Sequence, residues 1–138
     1  MSNEKEETSL ESLFGTDQNL EKQGIRFQIE KTKTVFIIKR FGGANSSEVQ
    51  QRFTKHYKPY AKLIEKDLLP LEKRQEIETR VFVESCITGW ENVKLAGQDL
   101  PFSTENAMKL FKKLPDLLET LVSYASDSNS FKEDLGNS

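Results

Sequence analysis

The sequence has very few of the residues on which metal sites and many active sites depend. Its 138 residues include one cysteine, Cys86, and one histidine, His56. A single cysteine cannot form an internal disulfide, which is typical of proteins in a reducing compartment. One cysteine and one histidine also fall short of the roughly four ligands that zinc binds. We therefore expect neither a disulfide framework nor a metal site.

Long apolar runs are missing as well. No stretch approaches the roughly 20 apolar residues that span a bilayer. The first residues, MSNEKEETSLES, lack the basic start and apolar run of a secretory signal. We therefore expect a cytoplasmic protein with no membrane partner. Its length indicates one domain with a core large enough to fold without metal or disulfides.

The chain also lacks a recognisable catalytic arrangement. Gly42-Gly43 is followed by neither the GK[ST] of a P-loop nor the third glycine of a dinucleotide fingerprint. His56 lies among lysines, with no carboxylate in the local sequence to orient its ring. Cys86 falls on an apolar helix face and is predicted to be a buried, inert side chain. We predict a non-enzyme that needs no cofactor.

The charge is nearly balanced overall, at −2, but it is unevenly distributed. Residues 31–62 carry eight Lys or Arg and one acid, Glu48, which leaves +7 there and −9 in the remainder. Such a stretch indicates a solvated basic face or a surface for an acidic partner. A nucleic-acid-binding role is an alternative, because aromatic residues alternate with the basic ones. The acidic pI, near 5.6, and the helical spacing of those aromatics argue against it.

The N-terminal half begins with a pattern typical of β-strands. Ile25, Phe27 and Ile29 alternate with polar residues, and a β-branched and aromatic run follows from Val35 to Phe41. We predict an antiparallel hairpin over residues 25–41. Because an isolated hairpin is marginally stable in water, one of its faces must pack against helices or another chain.

The remainder of the chain has helical spacing interrupted by prolines. Ser46 or Ser47 is expected to cap a helix whose apolar face continues past Pro59, where the helix kinks or restarts. A second restart is predicted at Pro70, a helix stop at Gly89 and a last helix from Pro115. Ser103 is expected to cap the helix that precedes Pro115. The face of the first helix is predicted to contain Val49, Phe53, Tyr57, Tyr60, Ile64 and Leu68, and that of the second to contain Ile77, Val81, Phe82, Cys86 and Ile87.

These patterns predict an α+β fold in which an N-terminal β-hairpin precedes a small bundle of four to five helices. Residues 1–12 are acidic and poor in large apolar groups, which predicts a disordered tail. Residues 127–138 are similarly polar and are predicted to form a flexible C-terminal tail. Residues 13–126 are then the single folded domain.

The most informative segment runs from residue 83 to residue 125. A helix there ends in Gly-Trp-x-x-Val, a turn follows, and Pro-Phe-Ser-x-Glu-Asn-Ala precedes a leucine-rich helix, a proline and a last helix. This segment, about a third of the chain, resembles the tail assembly chaperones of long-tailed phages. The matching residues are Gly89, Trp90, Val93, Gly97, Pro101, Phe102, Ser103, Glu105, Asn106 and Ala107.

The resemblance implies a function. Proteins of that family bind the long helical tape measure protein and help to recruit tail tube subunits during virion morphogenesis. They act in the host cytoplasm and are not expected in the mature virion. Apart from the resemblance, the strand edges of the hairpin predict that the chain can form a homo-oligomer. A minor structural virion protein and a small nucleic-acid-binding accessory protein that uses residues 31–62 are the alternatives.

The sequence also suggests which residues bind and which support the fold. Exposed strand edges recruit other strands, and the basic stretch lies beside the hairpin. We therefore expect a partner or self-association surface at Phe36, Ile38, Lys39, Arg40 and Phe41. The residues of the Gly-Trp-x-x-Val and Pro-Phe-Ser motifs are expected to be structural, with Trp90 largely buried.

Overall fold

The structure is a computed structural model that describes residues 7–132. It mixes helices with small antiparallel sheets, as an α+β fold requires. Residues 1–6 and 133–138, which belong to the two predicted tails, lie outside the described residues. The helices are α1 (Leu10–Phe14), α2 (Gln18–Gln23), α3 (Ser46–Tyr57), α4 (Ala61–Glu65), α5 (Leu71–Cys86), α6 (Thr104–Lys113) and α7 (Pro115–Ser126). The strands are β1 (Ile25–Gln28), β2 (Val35–Ile38), β3 (Ile87–Glu91), β4 (Lys94–Leu95) and β5 (Gln98–Asp99).

The predicted hairpin is present, but it is only part of the sheet. β1 and β2 pair antiparallel, with Phe27 opposite Phe36. β3 pairs with the other edge of β2, which gives the strand order β1-β2-β3. β2 is therefore a central strand, and its almost continuously apolar sequence is typical of one that is buried on both faces. Two short helices, α1 and α2, precede this sheet.

β3 corrects the predicted end of the long helix. α5 ends at Cys86, and both Ile87 and Gly89 lie in β3 rather than on a helix or at its stop. The carbonyl of Cys86 accepts a hydrogen bond from the Lys39 N–H, 2.7 Å away, just beyond β2. The free edge of β2 thus pairs with the chain as it leaves α5, a non-local contact that helical periodicity does not reveal.

The prolines divide the helices as predicted. Pro59 lies in a single 3₁₀ turn, Lys58–Tyr60, between α3 and α4. Pro70 directly precedes α5, and Pro115 is the first residue of α7. Five α-helices follow the hairpin within residues 7–132, which agrees with the predicted bundle of four to five.

One predicted helix cap is correct and another is wrong. The Ser103 hydroxyl accepts a hydrogen bond from the Asn106 N–H at 3.0 Å and caps α6. At the start of α3, however, Asn45 occupies the cap position, and Ser46 is the first helical residue. Asn45 is buried, and its amide donates to the carbonyl oxygens of Arg40 and Ser85 at 2.9 and 3.0 Å. It therefore ties the start of α3 to β2 and α5 instead of capping its own helix.

The main core lies between the sheet and the helices α5, α6 and α7. A smaller cluster formed by Val49, Ile77 and Val81 joins α3 to α5, and aromatic side chains cover it. The residues buried in the main core are Phe36, Ile38, Phe82, Val83, Cys86, Ile87, Val93, Ala107, Leu110, Phe111, Leu121 and Ala125.

The packed part of the chain extends beyond the predicted domain boundary at residue 126. A 3₁₀ turn spans Ser128–Phe131, and the Phe131 side chain is fully buried beside Tyr124. The Phe131 carbonyl also accepts a hydrogen bond from the Asp17 N–H at 2.8 Å. Residues 127–132 are thus part of the fold, because one large aromatic side chain finds a site that the polar composition of the segment does not predict.

Candidate interaction surfaces

The hairpin surface predicted from the sequence is not available to a partner. Phe36 and Ile38 are fully buried in the main core. Phe41 is partly buried and lies edge-on against Phe82, with a centroid distance of 5.3 Å. The physical reason is that β2 is the central strand of the sheet, so both of its edges are already paired. The prediction that these side chains form an exposed surface is wrong.

The two basic residues of that predicted surface are held in ion pairs. Arg40 lies 2.6 Å from the carboxylate of Glu21, whose side chain is almost completely buried. Its guanidinium also lies 5.8 Å from the ring centroid of Phe131. Lys39 pairs with Glu48 at 3.0 Å. These cations join parts of the chain and are not presented together on the surface.

Glu21 is the residue of this region that sequence reasoning missed. Its second carboxylate oxygen accepts a hydrogen bond from the Ala44 N–H at 3.1 Å. The adjacent Gly43 has a φ of +50°, and a side chain there would collide with the Glu21 carboxylate. No local signal distinguishes Glu21 from the other acids near the N-terminus, because its partners come from residues about twenty positions away. We name this arrangement of Glu21, Arg40, Gly43, Ala44 and Asn45 the buried clasp.

The residues of the family motif make their contacts within the chain. The Trp90 indole N–H donates to the Leu100 carbonyl at 2.7 Å, and its ring lies edge-on to Phe102 and Phe36. The Trp90 side chain has intermediate burial and packs against the main core. The Asn106 amide donates to the Pro101 carbonyl at 2.8 Å. Such contacts are those that a structural role requires.

The remaining motif residues also have local partners. Val93 is buried in the core, and Gly89 in β3 is paired with Ile37 of β2. Gly97, with a φ of +77°, lies in the tight turn between β4 and β5, where positive φ favours glycine. Glu105 is 2.7 Å from Arg80 of α5, and this hydrogen-bonded cation lowers the pKa of Glu105.

His56 and Cys86 have the contacts of structural residues. The His56 Nε2 lies 2.7 Å from the Glu84 carboxylate, so a carboxylate that is distant in the sequence orients this ring. Helix pairing brings Glu84 of α5 to α3, which local sequence cannot show. Burial raises the pKa of the Cys86 thiol to about 12 and suppresses its reactive thiolate.

Two further observations concern the part of the chain that the structure describes. No group of three or more His, Cys, Asp and Glu side chains in residues 7–132 lies close enough together to hold a metal ion. In the same range, no helix is long and apolar enough to cross a membrane.

The basic stretch separates into paired and solvent-facing residues. Lys39, Arg40 and Arg52 form ion pairs with described acids. The aromatic rings of α3 stack on one another, as Phe53 and Tyr57 do at 6.0 Å, and cover the small cluster between α3 and α5. The stretch therefore lacks the free aromatic platforms that favour single-stranded nucleic acid. The basic residues that form no ion pair with any residue in 7–132 are the exposed Lys31, Lys33, Lys55, Lys58 and Lys62.

Four exposed apolar side chains lie where α4 turns into α5. Leu63, Ile64, Leu68 and Leu71 are 39, 36, 62 and 66% exposed, and we name this set the leucine corner. The Leu68 N–H donates to the Leu63 carbonyl at 2.7 Å, a 6→1 hydrogen bond typical of helix C-termini. Asp67 supplies the left-handed residue that this turn needs, with a φ of +57°. The backbone of the leucine corner is therefore ordered by its own hydrogen bond.

A separate apolar groove lies between the hairpin and the junction of α6 with α7. It has a volume of about 440 Å³, and Leu114 at its mouth is exposed. Lys94, Lys113 and Asp116 are its charged lining residues. We name it the α6–α7 groove; its apolar lining includes Ile29, Phe36, Val93, Leu110, Leu114 and Leu117.

Comparison with known proteins gives one match. A family model described as YdaY prophage protein matches residues 44–136, which include the leucine corner and the helices α3 to α7. No curated protein and no solved structure matches the chain.

Proposed function

Since the chain belongs to the YdaY prophage protein family, we propose that it acts as a non-catalytic phage tail assembly chaperone in the host cytoplasm. It binds amphipathic helices of the tape measure protein and helps to bring tail tube subunits to them. The resemblance of residues 83–125 to tail assembly chaperones supports the assignment to tail assembly, and the family supports a phage origin.

The observation that carries the binding proposal is the leucine corner. Exposed apolar side chains that cluster on one surface favour a protein partner, whereas scattered ones need no explanation. The corner continues the apolar face of α3 beyond the part that α5 covers, and it lies inside the segment that matches the family. A helix that buries its own apolar face against this corner would gain stabilisation without any chemical step.

The lysines on the N-terminal side of the corner favour a client with an acidic flank on that side. Lys58 and Lys62 precede the corner, are exposed, and have no ion pair with any residue in 7–132. Such lysines steer an acidic partner and speed its encounter, while the apolar contacts provide most of the affinity. The client surface is thus an apolar corner with exposed lysines on its N-terminal side and the exposed acids Glu65, Asp67 and Glu72 among its members.

The proposal is tested by expressing the tape measure protein of the same phage together with the tagged chain. We expect the tape measure protein to become soluble and to purify with the chain. Leu68→Ser combined with Leu71→Ser removes most of the exposed corner and should weaken binding by about 2–3 kcal/mol, or roughly 30- to 160-fold. Leu10→Ser, at a more exposed leucine outside the corner, is the matched control and should bind normally.

Three outcomes of this experiment would lead to different conclusions about the proposed function. If the tape measure protein stays insoluble and does not bind the wild-type chain, the proposed function is wrong. If it binds equally well to the corner variant, the function stands and the corner is not its surface. Nucleic acid in the purified material that dissociates steeply with salt would instead support the nucleic-acid alternative.

A further inference from the structure

A second apolar segment is uncovered at the N-terminal end of the described chain. Leu10, Leu13 and Phe14 are 75, 47 and 70% exposed, and we name residues 7–14 the N-terminal arm. The three side chains are spaced i, i+3 and i+4 on α1, which places them on one face of the helix. This spacing is the one by which short amphipathic helices anchor in apolar grooves.

The arm is already ordered for such an interaction. The Ser9 hydroxyl caps α1 by accepting from the Ser12 N–H at 3.0 Å, and the Gly15 N–H closes the helix on the Glu11 carbonyl at 2.7 Å. Lys132 donates to the Ser12 carbonyl at 2.9 Å. Because the arm is held in its helical conformation, docking it costs less conformational entropy than ordering a flexible peptide would.

The α6–α7 groove complements the arm in polarity and in charge. Its lining is mostly apolar, and two of its three charged lining residues are Lys94 and Lys113. The arm contains two acids, Glu7 and Glu11, and no basic residue. An apolar helix face with acidic neighbours is therefore matched by an apolar groove with a predominantly basic rim.

We propose that the N-terminal arm of one copy occupies the α6–α7 groove of a second copy of this chain. The arm joins α2 through Asp17, whose N–H bonds the Phe131 carbonyl at 2.8 Å, and α2 leads into β1 at the end of the hairpin where Ile25 pairs with Ile38. The groove lies at the turn end, beside Ile29, about 13 Å along the strand from Ile25 at roughly 3.3 Å per residue. Entry into a neighbour's groove leaves the contacts that anchor the arm to its own chain in place.

The experiment measures the mass of the full chain by sedimentation equilibrium over a hundredfold range of concentration. We expect the wild-type chain to associate as its concentration rises. The arm variant Leu10→Ser/Phe14→Ser and the groove variant Leu114→Glu should each weaken association at least tenfold. Leu68→Ser, at a leucine of the leucine corner whose exposure lies between those of Leu10 and Leu114, should associate like the wild type. Circular dichroism should show that all variants retain the helical content of the wild-type chain, since every substituted side chain is exposed.

A mixture of the arm variant and the groove variant tests whether the arm of one copy binds the groove of another. The groove variant keeps an intact arm and the arm variant keeps an intact groove, so mixing them should produce a heterodimer that neither forms alone. The proposal is overturned if the wild-type chain stays monomeric, if either variant associates normally, or if the mixture forms no heterodimer. It is also overturned if Leu114→Glu abolishes tape measure binding and leaves self-association unchanged, because the groove would then hold the client.

Discussion

Leucines of the same size have opposite environments in two regions of this chain. Leu110 and Leu121 are buried in the main core, whereas Leu68 and Leu71 of the leucine corner face solvent. Both pairs belong to apolar helical patterns that look alike in the sequence. The comparison shows that periodicity identifies the residues that share a face but does not identify what covers that face.

The predicted apolar face of α3 and α4 contains both covered and exposed residues. Its first part, Val49 to Tyr60, lies against Ile77 and Val81 of α5 and is covered. Its last two members, Ile64 and Leu68, are exposed. The 3₁₀ turn that contains Pro59 separates the covered part of this face from the exposed part. Beyond the turn, α5 no longer covers the apolar residues.

The largest expected effect concerns the covered region and its buried clasp. Glu21→Gln leaves Arg40 as a buried charge without its counter-ion, and we expect a loss of about 3–5 kcal/mol in the free energy of unfolding. The matched control is Glu91→Gln, because Glu91 pairs with Arg26 at the same 2.6 Å but in solvent. Urea denaturation should show a clear loss for the first variant and little change for the second. Equal losses would mean that burial does not distinguish these pairs.

A direct comparison of the two leucine environments should give a slightly smaller difference. Leu121→Ala creates a cavity in the core and should cost about 3 kcal/mol in the free energy of unfolding. Leu68→Ala, at a residue 62% exposed, should change it by about 0.5 kcal/mol or less. Thermal or urea unfolding of the purified variants measures both values. A strong destabilisation by Leu68→Ala would show that the corner is covered in solution.

The smallest expected effect, taken per pH unit, is the pH dependence that the buried Cys86 adds. Its thiol has a pKa of about 12 in the folded protein, against about 9 in the unfolded chain. Above pH 9 the unfolded state therefore loses this proton first, and stability decreases as the pH rises toward 12, by at most about 1.4 kcal/mol per pH unit. Cys86→Ala lacks this contribution.

The stability difference between the wild-type chain and Cys86→Ala should accordingly shrink from pH 9 upward. Tyr57 and Tyr124, whose pKa values burial also raises, remain in both proteins and cancel in the difference. A difference that is constant across this range would show that the folded protein exposes the thiol to water.

Local features of this fold were the ones that sequence reasoning predicted correctly. The hairpin, the three proline boundaries and the Ser103 cap depend on residues within a few positions of one another. Features that depend on distant partners were missed. β3 exists because the free edge of β2 pairs with residues that the periodicity alone assigns to a helix.

The difference between local and distant contacts also explains why one candidate surface was predicted wrongly and two others were missed. The prediction at Phe36, Ile38 and Arg40 failed because β3 and Glu21 come from other parts of the chain and cover or pair these side chains. The leucine corner and the N-terminal arm were not singled out, because exposure of an apolar residue depends on the position of every neighbouring element.

The sequence by itself determined that this chain combines helices with a β-hairpin, and where its helices break. Turn, cap and periodicity signals act over a few residues, so they are readable without coordinates. Only the tertiary structure decided which apolar residues are core and which are surface, and it alone paired Arg40 with the buried Glu21. Burial and ion pairing depend on segments that meet in space after folding, and no local pattern records which segments those are.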